Sequence, residues 1–373
     1  MTNHQLMSCD LIKLANPGVA SLQPYQPGKP VEELERELGL ENIIKLASNE
    51  NPLGPGKLAL AVLQKPGDIS RYPDGNGFHL KSLLSRHHGI KPEQITLGNG
   101  SNEILELIAR AVLSPQHEVI FSEHAFAVYP LVTQAIGATP VVVPARDRGH
   151  DPAGFIDAIT DRTRLVFIAN PNNPTGTWLS ADSLRQLIAA IPDDVIVVLD
   201  EAYFEYATDK DYPNGIEWLE QFPNLLVTRT FSKAHGLAGM RIGYGIAHPR
   251  LSDLLNRVRQ PFNVNSLAQA MAAAALMDRE HLETSIRLNT DGMQQLIRGF
   301  EPLGLDYIPS AGNFICVNLQ RSGEIIYEKL LHEGVIVRPV ANYGMPNHLR
   351  VTIGRKEENE TFLRALEKVL REA

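Results

Sequence analysis

The segment TRTFSKAHGLAGMRIGYGIA, residues 228–247, sets Thr230, Ser232, Lys233 and Arg241 among glycines and alanines small enough for close packing. A lone lysine is ordinarily a solvated surface group. Hydroxyls and a guanidinium this near to it point to an anion site instead. A second segment, VIVVLDEAYFEY at 195–206, runs from an apolar strand into Asp200, Glu201 and Tyr203. A carboxylate at the end of a buried strand is costly unless a cation or a strong donor faces it, so either a structural ion pair or a functional cation belongs there. ANPNNPTG at 169–176 follows the apolar run LVFIA; it serves as a tight loop, or as a stiff platform holding one amide in a fixed orientation. In LGNGSNEILEL at 97–107, glycines lead into Ser101 and Asn102, both helix-cap types, and then into an apolar-periodic helix. A plain capped turn satisfies that pattern. So does a phosphate seat, because a helix start offers free N–H groups and the positive end of a dipole.

Each of these segments must be positioned by regular structure. Strand-like runs at Glu118–Phe121, Pro140–Val143, Leu165–Ala169, Val195–Leu199 and Leu225–Thr228 alternate with helical patterns, such as Ile104, Leu107, Ile108, Ala111 and Val112. Strands apolar at consecutive positions and separated by helices predict a parallel sheet covered on both faces, an α/β fold. Functional loops in such folds gather at the carboxyl ends of the strands. Pro17, Pro24, Pro27 and Pro30 predict an extended arm before a short helix at Val31–Leu38. After residue 262 the alternation changes: a helical stretch Ser266–Leu296, strands Phe314–Leu319, Val335–Val340 and His348–Ile353, and a closing amphipathic helix. The expected division is an arm with part of a small domain at 1–45, a large domain at 46–262, and a small α+β domain at 263–373.

The 373 residues suffice for two unequal bodies. A net charge of −8, with scattered basic residues, argues against a nucleic-acid partner. Cys9 and Cys316 are the only cysteines and offer no disulfide framework or zinc spacing, which suits free thiols in a reducing compartment. No apolar run is long enough for a bilayer and no secretory leader is evident, so a cytoplasmic location is expected. The adjacent His87 and His88 cannot face one metal from a regular helix, and no metal site is assigned. Neither Gly-Asn-Gly segment extends into G-x-G-x-x-G, which removes a dehydrogenase reading.

Taken together, in this order and spacing, the segments resemble the fold-type I enzymes that depend on pyridoxal 5′-phosphate (PLP), in particular the aminotransferases and, within them, the histidinol-phosphate aminotransferases. The resemblance runs from Tyr25 in LQPYQPGKP to Arg350 in HLRVTIGRKEEN. It implies a large PLP-binding domain with a mostly parallel sheet and a smaller α+β domain. Lys233 then matches the Schiff-base lysine, and Arg241, Thr230, Ser232, Ser101 and Asn102 the phosphate ligands. Asp200 matches the carboxylate facing the pyridine nitrogen, Tyr203 and Asn173 the partners of the ring oxygen, and Phe126 the aromatic stacked on the ring. Tyr72 matches a tyrosine that reaches the neighbouring subunit's cofactor, which implies a homodimer with shared active sites. Each role has a reason. A buried ionised Asp200 keeps the ring nitrogen protonated, and desolvation near cations keeps Lys233 partly neutral for proton transfer.

On the substrate side the resemblance names Tyr25, Asn51, Asn313, Arg338 and Arg350. Planar guanidinium groups suit both carboxylate and phosphate, so one arginine pair would serve L-histidinol phosphate and 2-oxoglutarate in the two halves of the cycle, within histidine biosynthesis. An aromatic amino-acid aminotransferase, or a PLP-dependent decarboxylase of an amino-acid phosphate, would share most of these residues. Salt bridging is the plainer use of Arg338 and Arg350. Where relatives carry Pro-Thr before the stacking aromatic, this chain has His124-Ala125, and His124 reads as a solvated loop histidine.

Overall fold

The computed structural model describes residues 11–24 and 27–372. Its largest sheet has seven strands: β2 (Ile95–Gly98), β3 (Glu118–Ser122), β4 (Thr139–Val143), β5 (Thr163–Ala169), β6 (Ile196–Asp200), β7 (Leu225–Thr230) and β8 (Gly243–Ala247). They lie in the order β2-β8-β7-β6-β5-β3-β4, and β8 alone runs against the rest. Successive side chains of a strand point to opposite faces, and both faces here are apolar. Along β5, Leu165 and Phe167 pack under the helix Ser101–Val112, whereas Val166 and Ile168 pack under the helix Ala181–Ala190. Burial on both sides is why these strands read as unbroken apolar runs.

A second core forms where the helices Arg279–Phe300, Gly323–His332 and Lys356–Arg371 meet a four-stranded antiparallel sheet. That sheet comprises β9 (Asp306–Ile308), β10 (Phe314–Asn318), β12 (Arg338–Pro339) and β13 (His348–Thr352). The run Val335–Val340, expected as one strand, divides in two. β11 (Val335–Ile336) pairs in parallel with β1 (Ile44–Lys45), and β12 turns to pair with β13. The chain following the arm therefore lies along the small sheet before it reaches the large one.

The helical stretch expected from Ser266 onward is two helices, Ser266–Met277 and Arg279–Phe300. Asp278 between them caps the second, its carboxylate accepting from His281 N–H at 3.2 Å. Ala268, Met271, Ala272 and Ala275 of the first helix belong to the core under the large sheet. Met293, Leu296 and Phe300 of the second belong to the core under the small one. The small alanine side chains let the first helix lie close against the helix Lys57–Val62.

Candidate active site

The strands β2, β5, β6 and β7 end on the same edge of the large sheet, and the four motif segments leave the sheet there. Between this edge and the small sheet lies a cavity of about 900 Å³ counting its open mouth. Ser101, Asn102, Phe126, Asn173, Asp200, Tyr203, Thr230, Ser232, Lys233, Arg241, Arg338 and Arg350 all line it.

At one end is a phosphate-sized cradle. Gly100 has a φ of 76°, which turns the chain from β2 into the helix that starts at Ser101. No side chain caps that helix start, and its first two residues, Ser101 and Asn102, line the cavity, where a helix start offers N–H groups without intrahelical partners. Arg241 donates to Ser232 Oγ at 3.3 Å and to the carbonyl of Ala238 at 3.1 Å. Ser232 N–H donates to Thr230 Oγ1 at 3.1 Å. The pieces approach so closely that a Cβ on Gly100 would stand 2.6 Å from Arg241 Nη2. A Cβ on Gly243 would stand 2.4 Å from the nitrogen of Ser101. Only glycine permits the sheet, the helix start and the arginine to converge.

In the middle of the cavity the neighbours Asp200 and Glu201 are treated in opposite ways. Glu201 is fully buried and bound by Arg229, whose Nε and Nη2 lie 3.0 and 2.8 Å from it. Phe204 covers that guanidinium at 3.4 Å. Asp200 instead receives two neutral hydroxyls, Tyr129 at 2.9 Å and Thr228 at 3.0 Å. Burial raises its pKa against the pull of these donors and of Lys233. A carboxylate held in place this firmly and left without a contacting guanidinium suits a cationic ring nitrogen.

Lys233 Nζ donates to the carbonyl of Ser48 at 3.2 Å and lies 5.6 Å from the centre of the Tyr203 ring. Burial, followed by the charge of Arg350, pushes its pKa down to about 7. Near neutral pH this amine is available as both base and nucleophile. Burial pushes the Tyr203 phenol up to about 12, so it stays a hydrogen-bond donor.

At the other end Arg350 donates to Asn173 Oδ1 at 2.6 Å and to the carbonyl of Ala47 at 2.7 Å. Its Nε is buried without a partner. Arg338 stands opposite Arg350 in the antiparallel register of β12 and β13. Like charges directly opposite each other on neighbouring strands repel, which an anion in the open mouth would relieve. An anion seat at each end, an acidic ring partner between them and a lysine of lowered basicity fit PLP together with an anionic substrate.

Not every expected residue reaches the cavity wall. Asn51 donates to the carbonyl of Ala234 and to Ser285 Oγ, both at 2.8 Å, and so pins the lysine loop from behind. Asn313 donates to the carbonyl of Asn49 at 3.0 Å. Tyr72 is 81% exposed, stacked on Phe262 at 4.6 Å, and lies outside the wall of its own chain's cavity. Tyr25 lies outside the described residues. His124, expected to be solvated, is buried with Nδ1 2.7 Å from the carbonyl of Tyr343, because the turn Ala341–Tyr343 folds over it. Three residues that reasoning from the sequence passed over belong to the site: Tyr129, Thr228 and Asn49. Thr228 opens the segment TRTFSKAHGLAGMRIGYGIA, and Tyr129 follows Phe126 by three positions. Nothing in their types separates them from ordinary core or turn residues.

The architecture is that of a fold-type I transferase. The chain belongs to the aminotransferase class I and II family, whose description matches residues 41–366. The chain is 61% identical to histidinol-phosphate aminotransferase 2 of Pseudomonas fluorescens, over 98% of this chain and all of that one. Its identity to histidinol-phosphate aminotransferase 2 of Pseudomonas aeruginosa is 58%, over 97% and 99% of the two. The crystal structure of histidinol-phosphate aminotransferase from Sinorhizobium meliloti, in complex with pyridoxal-5′-phosphate, superposes with a TM-score of 0.89 at 31% identity, covering 95% of this chain and 97% of that one.

Proposed function

We propose that this chain is a PLP-dependent aminotransferase moving an amino group between L-histidinol phosphate and 2-oxoglutarate, giving imidazole acetol phosphate and glutamate in histidine biosynthesis. The observation that carries this reading is the single cavity with an anion seat at each end and Lys233 between them. When bound, PLP supplies an aldehyde that condenses with amines and a protonated ring that takes up the electron pair released beside the nitrogen.

The chain's own residues do the rest. Arg241, Ser232, Thr230, Ser101 and Asn102 hold the phosphate and thereby fix the distance to Lys233. Asp200, steadied by Tyr129 and Thr228, holds a proton on the ring nitrogen. Phe126, Tyr203 and Asn173 line the cavity; Phe126 would wall one face of the ring, and Tyr203 and Asn173 would meet its oxygen. Lys233 Nζ takes the proton from one carbon and returns it to another, work for which a pKa of about 7 is well matched. Arg350 and Arg338 bind the anionic end of either substrate, a phosphate in one half-reaction and a carboxylate in the other. Two like charges set opposite each other at one mouth, Arg350 buried and Arg338 half-buried, favour a doubly charged phosphate over a single carboxylate, and this favours histidinol phosphate over phenylalanine.

The same reading assigns Tyr72 to a second copy of the chain. It stands exposed with Ile69 and Phe78, an apolar group of the kind that partner subunits cover. The boundary between the large and small domains then lies near Asp278, where the two helices join different cores. Among the described residues no helix is long and apolar enough to cross a membrane, and a biosynthetic role suits the cytoplasm. The deciding assay mixes purified holoenzyme with 2-oxoglutarate and either histidinol phosphate or phenylalanine, and follows glutamate. Strong preference for histidinol phosphate is expected. Preference for phenylalanine would keep the chemistry and overturn the substrate, and amine loss independent of an oxo acid would indicate a lyase. Sedimentation of the holoenzyme tests the dimer.

A further inference from the structure

Asn49 sits where the chain crosses from the small sheet to the cavity. It is 1% exposed and its φ is 55°, a left-handed conformation that asparagine adopts more readily than most side chains. All of its polar groups are used. Its N–H donates to Thr352 Oγ1 at 2.9 Å, and its side-chain oxygen accepts from the same hydroxyl at 3.2 Å. Its carbonyl accepts from Asn313 at 3.0 Å, and its Nδ2 donates to Tyr203 Oη at 2.8 Å. Thr352 ends β13 and Asn313 precedes β10, so three bonds tie Asn49 to the small sheet and one reaches Tyr203. The carbonyls of Ala47 and Ser48, just before it, are those that hold Arg350 and Lys233.

The Tyr203 phenol accepts from Asn49 on the linker. The charges of Arg350 on β13 and of Asp200 at the end of β6 act on it, as does the Tyr343 phenol from the turn Ala341–Tyr343. Lys233 lies over its ring, and Phe314 packs against it edge-on at 5.1 Å. A phenol oxygen that accepts from an amide keeps its own proton for another acceptor, and the cavity lies on that side. Donation to the oxygen also makes the phenol a stronger donor.

We propose that Asn49 is a positioning residue that aims the Tyr203 hydroxyl into the cavity, at the ring oxygen of the cofactor, and ties that aim to the seating of the small sheet. The inference rests on the proposed function, because it requires a ligand with an ionisable ring oxygen. A stronger donor at Tyr203 favours the ionised form of that oxygen, which the visible absorbance of the bound cofactor reports as a pH midpoint.

The test is a pH titration of that absorbance in the holoenzyme and three variants. Asn49→Gly keeps the backbone conformation and removes the amide. Asn49→Asp keeps the acceptor for Thr352 but offers Tyr203 a competing acceptor. Thr352→Val loosens Asn49 without touching Tyr203. Loss of one hydrogen bond corresponds to a rise of about one pH unit, expected in Asn49→Gly and exceeded in Asn49→Asp, with a smaller rise in Thr352→Val. On a Tyr203→Phe background Asn49→Gly should add nothing. Unmoved midpoints in folded Asn49 variants, or the same rise on the Tyr203→Phe background, would overturn the inference and leave Asn49 a joint of the fold. An unmoved Thr352→Val would overturn the tie to the small sheet. Wild-type protein that takes up PLP without a visible band would sink the functional reading itself, and the inference with it.

Discussion

The two ends of the cavity are built differently. The cradle at Arg241 is assembled by one sheet: Gly98 to Asn102 leaves β2, and Thr230 to Arg241 leaves β7 and returns as β8. Its side-chain hydrogen bonds join near neighbours, Ser232 to Arg241 and Thr230 to Ser232, and the pairing of β2 with β8 brings the helix start at Ser101 to them. The end at Arg350 is an assembly of distant pieces. Arg350 comes from β13, Asn173 from the loop after β5 and Ala47 from the linker, separated by 177 and 303 positions. The first end is complete once the large sheet has folded. The second exists only when the small sheet is seated on it, so affinity for cofactor and affinity for substrate should be separable.

Lys233 stands where the two ends meet, and its loss should have the largest effect. Lys233→Ala should lower the turnover rate at least 10²–10⁴-fold, measured in single-turnover reactions, while the cradle still binds PLP. Turnover near wild type would dismiss the lysine as the proton carrier. Next come the arginines. Arg350→Lys should raise KM for both substrates on the order of 10-fold or more, because a point charge replaces a two-armed donor, with cofactor affinity unchanged. Arg241→Lys should do the reverse, weakening cofactor retention in equilibrium dialysis while leaving KM near its original value. If both variants moved both quantities alike, the two ends would be one unit.

A third prediction concerns the cofactor-free protein. In the native state the Lys233 pKa is lowered from 10.5 to about 7, so between those values the unfolded chain holds a proton that the folded chain lacks. Stability contributed at this site therefore rises with pH from about 7 to 10.5. Denaturant midpoints across that window should climb in wild type and climb less in Lys233→Met. The smallest effect is expected at Asn51. Its two donated bonds brace the lysine loop from outside the cavity, so Asn51→Ala should cost about 1–3 kcal/mol of stability with KM unaltered. A clear change in KM without loss of stability would return Asn51 to the substrate side.

The residues of the cradle could be picked out in advance because each segment is local. Glycines, hydroxyls and a helix start at short spacing admit a phosphate seat, though a plain capped turn fits them as well, and Lys233 and Asp200 stand at strand ends that apolar runs announce. The roles of Tyr129 and Thr228 were not readable in this way. A tyrosine in a helix and a threonine in a strand are ordinary, and only the packing of the helix Val128–Ile136 against the sheet brings both hydroxyls to Asp200. The same limit separates Asn49 from Asn51. They stand two positions apart, yet a left-handed turn at Asn49 sends one side chain to Tyr203 and the other to Ser285.

By itself the sequence determined the α/β alternation and which residue types stand at the strand ends, since these follow from periodicity and from hydrogen bonds between near neighbours. Tertiary structure alone decided which helix joins which core, how β11 and β12 part, and which side chains complete the Arg350 end. Those outcomes depend on groups up to 303 positions apart meeting across buried seams, where shape and mutual hydrogen bonding select the partners and no short segment holds enough of them to show the result.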